Sequence, residues 1–538
     1  MSRSQLFPAA AVQFDHVLHR LTGVTAQAVL GLVLGMFVAR VMRARGLHWS
    51  WLLGATLVAP WLRPMLGGCL TVVLAASLGA LLRGRRWQRE DLDAGADLAR
   101  AAKLRVGPVD VLLSAINALA LRWRRATGAS GWFRAEQLII GRARRGRLVS
   151  IPLGGARGGT HALLVGATGS GKTVTQTWIA TRAVERGMGA IVIDPKGDHA
   201  MREAMMRVAQ RVDRELIEWT PQGPCTYNPF ARGSDTEVAD KVLAGERFTE
   251  PHYLRQAQRF LGHVVRALRA SGIETSLSTI AANLEPGALE VLTRNLPESS
   301  ARVVYAYLDS LTPRQLSDVA GVRDRLSILA ESDLARWLES GDASARRFDL
   351  FEAVQEHAIV YFDLEADRRP LLTQMLGAAI VQDLQTTVAS GRACAHPTVV
   401  VIDEFSALAA EQVVRLFGRA RSAGFSLVLG TQELADLRLP GREALLEQVL
   451  GNLAVLLAHR QVVPASAELI CKLAGTRGAW RTSRQDGGRL SRSRTSEGLL
   501  SVEDVTDLAP GRVAAITFGT KGSTQLAKVF SEREERVR

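Results

Sequence analysis

The stretch His161–Gly187, HALLVGATGSGKTVTQTWIATRAVERG, constrains the fold of this chain more than any other. HALLV reads as a short buried strand and TVTQTWIATRAV as a helix. Between them Gly166, Ala167, Thr168, Gly169, Ser170, Gly171, Lys172 and Thr173 match G-x-x-x-x-G-K-[ST] in full. Glycines let a backbone wrap a phosphate without Cβ clashes, and the N-terminus of the following helix offers unpaired N–H groups and a positive dipole end. In such a loop Lys172 reaches the β- and γ-phosphates and the Thr173 hydroxyl ligates Mg²⁺. The pattern predicts a strand, a phosphate loop and a helix, and therefore a nucleoside triphosphate, ATP, with Mg²⁺.

Further strands are legible as short apolar runs: AIVID (Ala190–Asp194), HAIVYFDL (His357–Leu364), TVVVIDEF (Thr398–Phe405), SLVLGTQ (Ser426–Gln432) and LAVLLAHR (Leu453–Arg460). Alternating with helical segments, they predict a parallel α/β sheet. VVVIDE ends in Asp403 and Glu404, which a parallel strand delivers to the same edge as the phosphate loop. There Asp403 is expected to hold the Mg²⁺ shell and Glu404 to act as general base on the attacking water. Gln432 ends the next strand, where an amide would sense the γ-phosphate. Asp194 and Lys196, in DPKGD, leave a strand at the same edge. Asp194 fits a supporting partner, and Lys196 a contact to phosphate or to a neighbouring subunit. Arg421, with Arg419 close by, follows the acid-bearing strand's helix and is a candidate finger for a neighbour's nucleotide. Arg460 is a weaker candidate. Residues 231–350 carry helical periodicity instead, as in Tyr253–Ala270 and Val322–Ser340, and read as an all-α insertion. Thr476–Gly498, rich in Arg, Ser and Gly, reads as a loop able to follow a phosphodiester backbone or simply to lie in solvent.

The first 90 residues are of another kind. Leu21–Val41 carries Arg40 as its one charge and is long enough, at roughly 30 Å of helix, to cross a bilayer. Met65–Leu82 is uncharged and is followed by Arg83, Arg85, Arg86 and Arg89, the flank expected on the cytoplasmic side. Trp51–Leu62 is apolar but too short to cross alone. Two spans forming a hairpin, or three with the N-terminus outside, both leave everything after Arg83 in the cytoplasm. Of the net +14, all lies in residues 1–150, with 21 Lys+Arg against 7 Asp+Glu; residues 151–538 hold 46 of each. A globally basic nucleic-acid surface is therefore excluded for the body. The four cysteines form no C-x-x-C pair, which argues against a disulfide framework and a thiolate zinc site. The expected organisation is a membrane anchor (1–89), a helical connector (90–135), a motor domain in two parts (136–230 and 351–538), and the helical insertion between them.

GATGSGKT, DPKGD, YNPF (Tyr227–Phe230), VRDRLSILAESDL, VVVIDEFSAL, GRARSAGFSLVLGTQELADL and LAPGR (Leu508–Arg512) occur in this order behind apolar N-terminal spans. In this the chain resembles the TraD/TraG-type coupling ATPases of conjugative type IV secretion systems, over roughly residues 135–530 and the membrane hairpin. The resemblance implies a RecA-like P-loop domain with an inserted all-α domain, and a homo-hexameric ring on the inner membrane. It also implies ATP-driven delivery of single-stranded DNA, with its attached relaxase, to secretion-channel proteins. Lys172 and Thr173 fall on the nucleotide and Mg²⁺ positions, Asp403 and Glu404 on Walker B, Gln432 on the third motor motif, and Arg421 where the arginine finger is expected. The chain departs from relatives that carry a long acidic tail, so tail-mediated recruitment is not expected. Two alternatives remain open: a coupling receptor for protein effectors, and an FtsK- or HerA-like duplex DNA motor.

Overall fold

The computed structural model describes residues 6–44, 50–52, 70–93, 108–126, 131–143, 146–154, 158–246, 248, 250–339, 345–390, 396–408, 410–438, 444–484, 490–519 and 522–532. Residues 53–62 of the short apolar run, 65–69 of the second span and 94–107 of the connector lie outside them. The chain divides into two compact units: residues 1–122 with 144–147 and 476–497, and the remainder.

In the first unit, α1 (Leu6–Ala44) and α2 (Leu70–Asp93) pack backbone to backbone. A Cβ at Gly31 or Gly35 would overlap the backbone of Val72 or Ala76, and one at Gly79 the backbone of Leu32. Gln27 Oε1 accepts a hydrogen bond of 2.8 Å from the Thr71 hydroxyl. Small residues permit this approach where no hydrophobic drive separates helix from lipid. The partners advance together along both helices, from Gln27 with Thr71, through Gly31 with Val72 and Gly35 with Ala76, to Ala39 beside Ala80. The helices are therefore parallel. A two-span hairpin would run its helices antiparallel, whereas the first and third spans of a three-segment anchor run parallel. The Leu52 carbonyl accepts from the Ser77 hydroxyl, and its side chain packs on the Ala39, Ala80 and Trp87 cluster. Among the described residues one helical stretch, Gly23–Met42, is long and apolar enough to cross a membrane; the described part of the second span runs into the arginines from Arg83 onward. The connector's described part is helix α3 (Pro108–Ala126).

Thr476–Arg484 and Leu490–Gly498 pair as a two-stranded ribbon, not a loop. Arg477 donates to Glu497 across it at 2.9 Å. The strands are almost wholly polar, so no apolar alternation announced them, although Asp486-Gly487-Gly488 between them is a hairpin-turn signal.

In the second unit a twelve-stranded sheet runs through the described residues. Its strands include β1 (Gln137–Ala143), β2 (Leu148–Pro152), β3 (Ala162–Val165), β4 (Gly189–Asp194), β5 (Leu216–Trp219), β6 (Ile359–Asp363), β7 (Thr398–Ile402), β8 (Phe425–Thr431), β9 (Val455–Ala458), β10 (Arg512–Thr517) and β11 (Ser523–Val529). The order is β5-β6-β4-β7-β8-β3-β9, all parallel, continued by antiparallel β10, β11, β1 and β2. Strands β3, β4, β7, β8 and β9 are buried along their whole length, which is why they read as unbroken apolar runs. The helix after the phosphate loop, α4 (Lys172–Glu185), buries Trp178, whose indole donates to Ile139 O at 3.0 Å and packs edge-on against Trp132.

Between β5 and β6 the chain is helical, apart from the short strands Cys225–Tyr227 and Arg346–Phe348, which pair with each other. It includes α5 (Asp235–Leu243), α6 (Pro251–Ala270) and α7 (Pro313–Ala330). Their starts are coded locally: Ser234 with Glu237 and Thr312 with Gln315 form capping boxes, and Pro251 and Pro313 occupy first-turn positions. A buried ion network ties this helical part to α8 (Pro370–Ala389): Lys241 Nζ donates to Asp383 at 2.5 Å and to two backbone carbonyls, while the Tyr227 hydroxyl donates to the other Asp383 oxygen at 2.7 Å.

Candidate nucleotide site

The register places four strand ends side by side. Ile402 of β7 lies opposite Ile193 of β4 and Leu429 of β8, and Thr431 of β8 opposite Val165 of β3. The segments leaving these strands therefore emerge at one edge: the phosphate loop from β3, Lys196 from β4, Asp403 and Glu404 from β7, and Gln432 from β8.

The phosphate loop is anchored from outside itself. Gly166 N donates to Thr431 O at 3.3 Å, Ala167 N to Arg460 O at 3.0 Å, and Gly511 N to Ser170 O at 2.9 Å. Gly169 and Gly171 have φ of +74° and +100°, a region that disfavours a side chain, and a Cβ on Gly171 would meet Gly511 N at 2.9 Å. Gly171 caps α4 with no side-chain hydrogen bond, so the first-turn N–H groups remain available to an anion. Among the described residues the hydroxyl of buried Ser170 has no hydrogen-bond partner. Behind the loop, fully buried His459 contacts the Thr175 hydroxyl through Nε2 at 3.0 Å. Burial pulls its imidazole down to about 4, so it is neutral at physiological pH.

Glu404 is the centre of the site. Its Oε1 accepts from Lys172 Nζ at 2.8 Å, Lys196 Nζ at 2.8 Å and Gln432 Nε2 at 3.2 Å. The residue has φ +45°, left-handed backbone that is strained for a glutamate. Burial works against its charge, but the two lysines prevail and hold the carboxyl below its ordinary range. Asp403 behaves oppositely: burial raises its carboxyl, Lys172 at 3.5 Å offsets this only in part, and Glu404 adds to the rise. Its Oδ1 has no hydrogen-bond partner. That oxygen and the buried, unpartnered Gln176 amide both overlie Gly430, where a Cβ would stand 2.5 Å from each. A buried carboxylate oxygen with no hydrogen bond, and only the longer 3.5 Å ion pair to Lys172, in a cradle kept open by glycine suits a hard divalent cation. Asp403 and Thr173 are the residues fit to hold Mg²⁺.

Asp194 has a different task from Lys196. It accepts from the backbone N–H of Lys196, Gly197 and Asp198 at 2.9, 3.1 and 2.6 Å and from the Tyr361 hydroxyl at 2.6 Å, and so holds the turn that presents Lys196. Burial works against the Lys196 ammonium, but Glu404 and the neighbouring acids raise it above its usual range. Arg421 is not brought to this edge. It precedes β8, is exposed, and its carbonyl accepts from Gly159 N and Gly424 N at the sheet's opposite edge. The length of β8 separates it from Gln432, roughly 20 Å. Arg460 contributes its backbone carbonyl to the phosphate loop. Residue patterns alone passed over His459, Gly511, Gln176 and Gly430; the LAPGR and LAHR segments that carry the first two were visible, but nothing local showed that they back the loop.

A family model described as the type IV secretion-system coupling protein DNA-binding domain matches residues 145–500. The type 4 coupling protein DotL of Legionella pneumophila subsp. pneumophila is 33% identical over 100 residues, 16% of this chain and 13% of DotL, so the chain spans about an eighth of that relative's length. The fold is similar to that of unbound bacterial conjugative coupling protein TrwBdeltaN70, with a TM-score of 0.56 at 16% identity over 76% of this chain and 91% of that one. It is also similar to VirB4 of Thermoanaerobacter pseudethanolicus, with a TM-score of 0.51 at 16% identity over 75% and 99% of the two chains. The sheet is thus the RecA-like mixed α/β type expected, and the matched 145–500 holds every residue of the site described above except Gly511. By that match the chain belongs to the type IV secretion-system coupling protein family.

Proposed function

We propose that this chain is an ATPase that uses hydrolysis to bring relaxase-bound single-stranded DNA to a type IV secretion channel and drive it through. The observation that carries the catalytic half is the convergence of Lys172, Lys196 and Gln432 on one oxygen of Glu404 beside an Asp403 oxygen that makes no hydrogen bond. The loop amides and Lys172 bind the phosphates. Thr173 and Asp403 hold Mg²⁺, which, when bound, neutralises charge on the β- and γ-phosphates. Glu404 orients a water and takes its proton as the water oxygen bonds to the γ-phosphorus and the bond to the bridging oxygen breaks. Gln432 stays on Glu404 and reads the γ-phosphate. Solved TrwB structures hold ADP with Mg²⁺, or non-hydrolysable ATP and GTP analogues, which supports the choice of ligand. Arg421, remote from its own site, serves a neighbour's nucleotide in a homo-hexameric ring. The test is ATP hydrolysis by the full chain in lipid nanodiscs. Hydrolysis is expected to rise on adding single-stranded DNA and to vanish in Lys172→Ala. Hydrolysis indifferent to DNA would overturn the DNA half and favour protein effectors.

The anchor follows from parallel α1 and α2. Both helices end in arginines, Arg40 and Arg43 in one and Arg83, Arg85 and Arg86 in the other, so the positive-inside rule assigns one end of the pair to the cytoplasm. The reading is a multi-pass bacterial inner-membrane protein with a cytoplasmic motor and an external N-terminus. Alkaline phosphatase fused ahead of Met1 is expected to be active; a cytoplasmic reporter fluorescing there would overturn the topology.

A further inference from the structure

We infer that Lys196 is a second phosphate-binding lysine, which leaves Glu404 for the γ-phosphate and makes the site select triphosphates over diphosphates. The inference rests on the ATPase reading above and concerns one side chain within it.

Lys196 is presented, not loose. Pro195 and the three N–H bonds to Asp194 fix its turn, and Gly197 at φ +71° closes it, where a Cβ would lie 2.7 Å from Asp363. Its side chain is 45% exposed, yet Nζ is held on Glu404 Oε1 at 2.8 Å. Lys172 Nζ lies at the same distance from the same atom, so the two ammonium nitrogens are no farther apart than twice that distance. Two cations this close on a partly buried edge need an anion between them, and here Glu404 supplies it. An incoming phosphoryl group has the charge and the several acceptor oxygens to replace Glu404 for both.

Strand order decides which phosphate that is. Lys172 stands at the end of β3, and Lys196 at β4, three strands away across β8 and β7. The loop amides and α4 hold the proximal phosphates on the β3 side. Lys196 approaches from the far side and meets only the terminal group, next to Glu404. Its transfer has a second effect. A triphosphate that drew away Lys172 alone would leave Glu404 clamped by Lys196. Drawing away both frees Oε1 for water, with Gln432 still in place to orient it. A diphosphate leaves the Lys196–Glu404 pair intact.

The experiment compares equilibrium binding of fluorescent ADP and a fluorescent non-hydrolysable ATP analogue, with Mg²⁺, to the full chain in nanodiscs. In Lys196→Ala the Kd for the triphosphate analogue is expected to rise on the order of 10- to 100-fold, the range for one charge-assisted hydrogen bond. The Kd for ADP should stay within about twofold, and Lys196→Arg should recover part of the triphosphate affinity. Equal weakening of both ligands, or no change in either, overturns the inference. Failure of the unaltered chain to bind either nucleotide would instead overturn the ATPase reading itself.

Discussion

His459 couples the phosphate loop to pH. It is fully buried, touches Thr175 through Nε2, and its ring lies against the Gly166 and Gly171 backbone. Its folded-state pKa is about 4, against an ordinary value of 6.5. Above pH 6.5 the ring is neutral in folded and unfolded chains and costs nothing. Between 6.5 and about 4 the unfolded chain binds a proton that the folded chain refuses, so stability falls as pH falls. The slope is about 1.4 kcal/mol per pH unit, and the loss reaches about 2 kcal/mol at pH 5. The perturbation is His459→Asn, which removes the titration but keeps a polar side chain. The assay is urea unfolding of the full chain in detergent at pH 8 and pH 5. Asn costs stability at pH 8 through lost packing. By pH 5 its deficit relative to His should shrink by about 2 kcal/mol, because only the histidine chain has lost stability by protonation. A deficit equal at both pH values would refute the reasoning, since it would mean that the imidazole titrates alike in both states. His161 is buried and also drawn down to about 4, so the same double difference applies to it independently.

Three further outcomes arise from the packing. Gly430→Ala inserts a methyl against Asp403 Oδ1 and Gln176, so it should cost about 1–3 kcal/mol in urea melts and lower kcat for ATP more than nucleotide affinity. Asp383→Ala strands the buried Lys241 ammonium and should cost about 3–5 kcal/mol in the same melts, whereas Lys241→Met with Asp383→Leu should cost much less. Arg421→Ala and Lys172→Ala chains, each inactive alone, should regain hydrolysis when mixed; no gain on mixing would remove the shared-site role of Arg421.

The central strands were legible because burial on both faces leaves no polar residue to interrupt them, as in VVVI of β7 and SLVLG leading through β8. The helices between β5 and β6 were legible because their starts are written locally, at Ser234, Pro251 and Thr312. The positions of Asp403, Glu404 and Gln432 were legible because each sits where a parallel strand must end, and that of Lys172 because the glycine loop runs straight into a helix. What escaped depends on contacts distant in the chain. His459 meets Thr175, 284 residues away, and Gly511 meets Ser170 across 341 residues with only backbone atoms involved, so neither side-chain type could mark the contact. The 476–498 ribbon escaped because its strands are almost wholly polar in sequence and carry no apolar alternation. The course of α1 and α2 stayed open between two spans and three because an apolar run gives a helix's length but not its direction.

Charge explains why the site had to be assembled this way. Residues 151–538 are balanced, so no broad positive field draws a polyphosphate to the edge. The site itself is balanced too. Lys172 and Lys196 face Asp403 and Glu404, while Asp194 is spent on the Lys196 turn. A nucleotide must therefore bring its own compensation. On the proposed reading Asp403 would hold Mg²⁺, and so one of the two acids would act as a ligand instead of a repellent. On the same reading the terminal phosphate would draw the two ammonium groups from the other. Glu404 would then be a carboxylate free of both lysines, with Gln432 still on it, which is the condition for accepting a proton from water. In a neutral edge of this kind, binding the right ligand and arming the base are the same rearrangement of ion pairs. Metal-free triphosphate would meet two carboxylates and lack half of that exchange, so removing Mg²⁺ with a chelator should weaken triphosphate binding far more in this site than screening with added salt.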